Sequence, residues 1–102
     1  MCSIKDAERQ EALALLYQQE KNTSKVREHY LEAASIYVLQ AELSKNETLI
    51  QKANECYALS QGQNIPPAFS KQELAQRTLT ELQEFQPVHH HHDVLQEIRG
   101  II

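Results

Sequence analysis

VREHYLEAASIYVLQAEL, Val26 to Leu43, is the stretch that decides the fold. Val26, Tyr30, Ala33, Tyr37 and Ala41 step by four, three, four and four residues, which is the repeat of one helical face. Leu31, Ala34 and Val38 make a second stripe beside it, and Ile36, Leu39 and Leu43 a third. A helix that is apolar around so much of its circumference is buried on several sides. The segment from about Ser24 to Leu43 is therefore expected at the centre of a helical bundle. Tyr30 and Tyr37, at helical spacing, are expected in the core with their hydroxyls at its edge.

Its neighbours read as helices too. Upstream, a helix is expected from about Ser3 to Glu20, with Ser3 as N-cap and Asp6 three residues on. Ile4, Ala7, Ala12, Leu15 and Leu16 give it a ragged stripe, interrupted by Glu8 and Glu11. Glu20 to Ser24 is polar and cap-rich, which suits a short turn. Downstream, Ser44-Lys45-Asn46-Glu47 has the form of a capping box. Leu49, Ile50, Ala53, Cys56, Tyr57 and Ser60 follow on one stripe, and Gly62 is placed to close the helix in a left-handed cap.

The pattern then changes. Residues 63–69, with Pro66 and Pro67, cannot continue a helix and read as a linker. Ser70 to Glu73 is a second capping box, opening a helix that carries Leu74, Ala75, Leu79, Leu82 and Phe85. After Pro87 and the run His89 to His92, Asp93 is placed to cap a short last helix with Val94, Leu95 and Ile98. The expected fold is all-α: an antiparallel three-helix bundle over residues 1–62, a linker at 63–69, and one or two further C-terminal helices within 70–102 packing on the bundle.

Composition bounds the function. The 102 residues make one domain's length. Ten Lys and Arg are scattered among fourteen acids for a net charge of −4, without the clustered cations that nucleic-acid binding needs. No apolar run approaches the roughly 20 residues that span a bilayer, and the first residues lack the apolar core of a signal peptide. A cytoplasmic setting is expected, with membranes involved only indirectly. Gly62 and Gly100 stand alone, so there is no glycine-rich phosphate loop. Cys2 and Cys56 share no metal or redox spacing, and Cys56 reads as an inert core thiol among apolar residues. His89 to His92 suit a metal by ligand type. Four adjacent side chains cannot all point at one ion on a regular backbone, and no second ligand set stands at structural spacing, so a polar loop is the better reading. Lys52 reads as an exposed helix charge. No cofactor, metal or catalytic residue is expected.

The second and third helices resemble the MIT (microtubule interacting and trafficking) domain, a three-helix module of about this size. The resemblance rests on Val26, Tyr30, Ala33 and Ala34 in the second helix. In the third it rests on the run Lys52-Ala53-Asn54-Glu55-Cys56-Tyr57-Ala58-Leu59-Ser60-Gln61. It covers about residues 5–62 and matches weakly around Ala12 to Gln18. Leu59 and Gln61 stand where the family has an Arg and an acid. The resemblance implies binding without catalysis: helical or extended tails of ESCRT-III-type partners held beside the third helix. Mapped here, a groove between the second and third helices would be lined by Tyr37, Ala41, Leu49, Lys52, Ala53, Cys56, Leu59 and Ser60. The segment Leu74 to Phe85, tethered by a short linker at high effective concentration, is expected to pack on the three-helix unit. Leu59 would otherwise be left bare.

The expected function is thus a protein-interaction adaptor in membrane trafficking, monomeric or part of a longer protein or complex. The alternative is a structural helical subunit, or a tetratricopeptide-like fragment, that works only inside a larger assembly. One helix pair resembles such a repeat, but no second copy follows at its period.

Overall fold

Five helices appear in a computed structural model of the chain, which describes residues 3–85 and 92–102: α1 (Ile4–Gln19), α2 (Thr23–Ser44), α3 (Thr48–Ser60), α4 (Lys71–Leu82) and α5 (His92–Arg99). No strand occurs among the described residues. The all-helical expectation holds, and α2 is the hub: each of the other four helices packs against it. Every residue from Glu28 to Leu39 is buried, as three apolar stripes on one helix require. α1 and α3 each lie along α2 but barely approach each other.

The helix ends follow local chemistry, with corrections. At α1 the full capping box forms, Ser3 accepting from the Asp6 amide and Asp6 accepting from the Ser3 amide. These hydrogen bonds hold the Asp6 carboxyl below its ordinary value. The expected box at Ser44–Glu47 does not form. Ser44 is the last residue of α2 and donates its hydroxyl to the Gln40 carbonyl, while Asn46 accepts from the Thr48 amide and hydroxyl. A serine whose hydroxyl bonds the carbonyl one helix turn back is lost as a cap for the next helix. Ser70 does cap α4 through the Glu73 amide. Gly62 has φ of +73°, the left-handed C-terminal position expected of it. α5 begins at His92, so Asp93 lies inside the helix and not at the cap position before it. His89, His90 and His91, like Cys2, lie outside the described residues.

Of the expected stripe on α1, Ala7 is buried and Ile4, Ala12, Leu15 and Leu16 are exposed. The fully buried apolar side chains of α1 are Ala7 and Ala14, whereas Ile4, Leu15 and Leu16 are exposed by 40%, 54% and 49%. Polar and ring contacts supplement these small side chains: Gln10 Oε1 lies 2.6 Å from His29 Nδ1, and the Tyr17 ring stacks on the His29 ring at 5.3 Å.

The C-terminal helices cover the opposite side of α2. Lys71 at the start of α4 pairs with Glu42 near the end of α2. Glu81 and Glu84 near its other end pair with Arg27 near the start of α2, so the two helices run antiparallel. Glu81 also accepts from Tyr57 of α3 and from Gln61 just past its end. Asn54 fastens the end of the linker, donating to the Phe69 carbonyl and accepting from its amide. Leu74, Leu82, Val94 and Ile98 are each at most 2% exposed and join the same core cluster as Leu31, Ile36 and Val38. At about 1.5–3 kcal/mol for each large apolar side chain buried, these four are worth roughly 6–12 kcal/mol. That is comparable with the whole stability of a small domain. α4 and α5 are therefore part of the core and not a loosely docked ligand.

Candidate functional site

Because α1 and α3 both run antiparallel to α2, they are parallel to each other, and the space between them is a cleft floored by α2. On α1, Glu11 and Gln18 face it: Tyr37 on the floor donates its hydroxyl to Glu11 Oε2 at 2.6 Å, and Gln18 lines a cavity at one end. Leu15 stands between them at helical spacing and shares their face. On α3, Lys52, Cys56 and Leu59 follow the same spacing. The Lys52 ammonium lies 5.6 Å from the Tyr37 ring centre, and Cys56 is within reach of Glu11. Parallel register brings Leu15 to the level between Cys56 and Leu59.

The cavity, about 270 Å³, closes the end where α1 stops, α2 starts and α3 stops. Val26, Tyr30 and Leu59 supply its apolar lining. Gln18, Lys21, Thr23, Gln63 and Asn64 surround it with polar groups, and Gly62 keeps its edge open. Leu59 remains 38% exposed among the described residues. α4 packs on the other side of α3, so the expectation that Leu74 to Phe85 would shield Leu59 is corrected.

The electrostatics make the floor unreactive. Burial is the first cause raising the Cys56 thiol, and the Glu11 carboxylate adds to it; Lys52 opposes without prevailing. A thiol held in its neutral form is no nucleophile. Burial also raises Tyr37, and its hydrogen bond to Glu11 raises it further, since the neutral hydroxyl is what donates. Among the described residues no group of three or more metal-ligating side chains converges. No described helix is long and apolar enough to cross a membrane.

The residues expected to line a groove between the second and third helices divide into two sets. Tyr37, Ala41, Ala53, Cys56 and Ser60 are each at most 6% exposed and pack in the helix interfaces. Ala41, Ala53 and Ser60 let α2 and α3 approach closely there. Leu49 is half-buried, and only Lys52 and Leu59 of the set stand open. The flank of α2 and α3 facing away from α1 carries α4. Glu8, Glu11, Leu15, Gln18 and Val26 are additions that the sequence reading does not supply as site residues. Their signal lies in the first helix, where Glu8, Glu11, Leu15 and Gln18 repeat at helical spacing but read as a broken apolar stripe. No protein-family model matches the chain, and no curated protein or solved structure matches it.

Proposed function

We propose that the chain is a non-catalytic protein-interaction module that takes a helical or extended segment of a partner protein in the cleft between α1 and α3. The observation that carries this reading is that Leu15 of α1 and Leu59 of α3 stay exposed by 54% and 38% beside a cavity of about 270 Å³ lined by Val26, Tyr30 and Leu59, while the opposite flank of α2 is covered by α4 and α5. Apolar residues open to solvent beside a cavity with a polar border are what a docking segment buries. The MIT resemblance, taken as a reading of residues 5–62 as a three-helix unit with α4 and α5 lying on it, names the first partners to try. These are C-terminal tails of ESCRT-III-type proteins, in a cytoplasmic trafficking role. Fluorescence anisotropy with labelled tail peptides tests it. Leu15→Glu and Leu59→Glu should each weaken binding by about tenfold or more, a cost of about 1.4 kcal/mol. Peptides that bind both variants as they bind the parent chain would reject the cleft as the site.

A second reading has its own observation. Leu16 is half exposed on the side of α1 that points away from the cleft. A structural subunit of a larger assembly would bury it. Sedimentation of the full chain separates the two: a concentration-independent monomer favours the module, and self-association abolished by Leu16→Glu favours the subunit.

A further inference from the structure

The cleft is uneven in charge along its length. At the level of Tyr37, the Glu11 carboxylate of α1 and the Lys52 ammonium of α3 both lie against the Tyr37 side chain. Glu8, one turn before Glu11 on α1, and Glu55 of α3 add negative charge that raises the Tyr37 hydroxyl and the Cys56 thiol respectively. Glu11 is anchored by the Tyr37 hydroxyl at 2.6 Å yet stays half-buried, so its carboxylate is both positioned and reachable. The Lys52 ammonium is drawn over the Tyr37 ring at 5.6 Å. Lys21 lines the cavity at the far end, beyond Leu15, so the negative stretch is confined to one half. A charge pair formed over an apolar floor is worth more than one in open water, because the low dielectric strengthens it.

We propose that this cleft selects a partner segment carrying a cationic side chain at the Glu8–Glu11 level and an apolar one between Leu15 and Leu59. This rests on the docking reading above and adds the chemistry of the partner to it. The carboxylates of Glu8 and Glu11 receive the lysine or arginine of the segment. The leucine pair takes its apolar residue one to two turns further on. A segment with an acid in the first position is disfavoured by like-charge contact over the same floor.

The test uses the full chain and three labelled synthetic peptides of about 14 residues, amphipathic helices of leucine with lysine, with glutamine or with glutamate. The parent chain should prefer the lysine peptide to the glutamate one by about tenfold or more at low salt, and that preference should shrink as salt rises. Glu8→Gln/Glu11→Gln should lower the preference to about a third or less, since it removes two charges while the amide oxygen that replaces the Glu11 carboxylate still accepts from Tyr37. Glu73→Gln/Glu84→Gln makes the same change in net charge on exposed acids of the C-terminal helical face and should leave the preference intact. Equal affinity for the three peptides overturns the proposal. So does a preference unaffected by the α1 pair of substitutions, or lost equally in both double variants. If Leu59→Glu leaves the lysine peptide's binding unchanged, the docking reading falls, and this proposal with it.

Discussion

Tyr37 of α2 donates its hydroxyl to the carboxylate of Glu11 of α1 at 2.6 Å, directly beneath the cleft. Tyr37 is 1% exposed, so the pair is rooted in the core. It also adds a polar tie to α1, whose fully buried apolar side chains are two alanines.

Removing the hydroxyl therefore loosens α1 more than its size suggests. Tyr37→Phe should cost about 1–2 kcal/mol, the range for a hydrogen bond to a charged acceptor that water partly replaces. Urea denaturation followed by circular dichroism measures it. A cost indistinguishable from zero would show that the hydrogen bond does not help hold α1.

Stability is expected to be uneven across the helices. α1 rests on Ala7, Ala14 and polar contacts, whereas α2 is covered on most sides, so amides of α1 should exchange with deuterium well before those of α2. Coincident exchange across α1 to α3 would contradict this account of the packing.

The C-terminal helices should behave as core. Leu74 is fully buried and Leu82 1% exposed, so Leu74→Ala and Leu82→Ala should each cost about 2–5 kcal/mol. Leu16→Ala, at a half-exposed site, should stay within about 0.5 kcal/mol. Thermal melts of the three variants decide it, and small losses at Leu74 and Leu82 would mean that α4 is only a loosely held appendage.

That α4 belongs to the core is only half legible in the sequence. Its amphipathic spacing from Leu74 to Phe85 announces a helix that needs a partner. Which flank of the bundle it chooses is set by contacts far apart in the chain: Arg27 with Glu81 and Glu84, Glu42 with Lys71, and Asn54 with Phe69. No local pattern carries such pairings. The hub helix is readable because three stripes on one segment admit no other burial. The first helix misleads because its apolar spacing favours leucines, while the close approach of α1 to α2 admits only alanines. The leucines turn instead to the cleft and to solvent. Of the expected groove residues, Ala41, Ala53 and Ser60 are buried where α2 and α3 meet, and how closely two helices approach is not written in either one alone.

Stability should form a plateau in pH with an edge on each side. Tyr30, Tyr37 and Tyr57 are raised above their ordinary value of 10.0, and Cys56 above 9.0, with burial the first cause for all four. For a raised group the contribution is whole below the unfolded value and lost as pH climbs toward the folded one. Stability should therefore start to fall near pH 9, from the Cys56 reference of 9.0. On the acid side, Glu42 is lowered from 4.5 by its hydrogen bond to Lys71, and Asp6 from 3.8 by the Ser3 cap. Their contributions are present above those values and lost as pH falls below them; both sites are exposed, so this edge is shallow. Urea midpoints across the pH range measure both edges, and a stability that rises above pH 9 would contradict the burial of these groups.

The central claim is that a partner segment docks between α1 and α3, and the most direct measurement is an amide chemical-shift map. The full chain, labelled with nitrogen-15, is titrated with an ESCRT-III-type tail peptide and with the leucine–lysine helix. The account predicts saturable shifts at Glu11, Leu15, Gln18, Val26, Tyr30, Leu59 and Gln63, with α4 and α5 unmoved. Shifts confined to α4 and α5, or none at all, would contradict it.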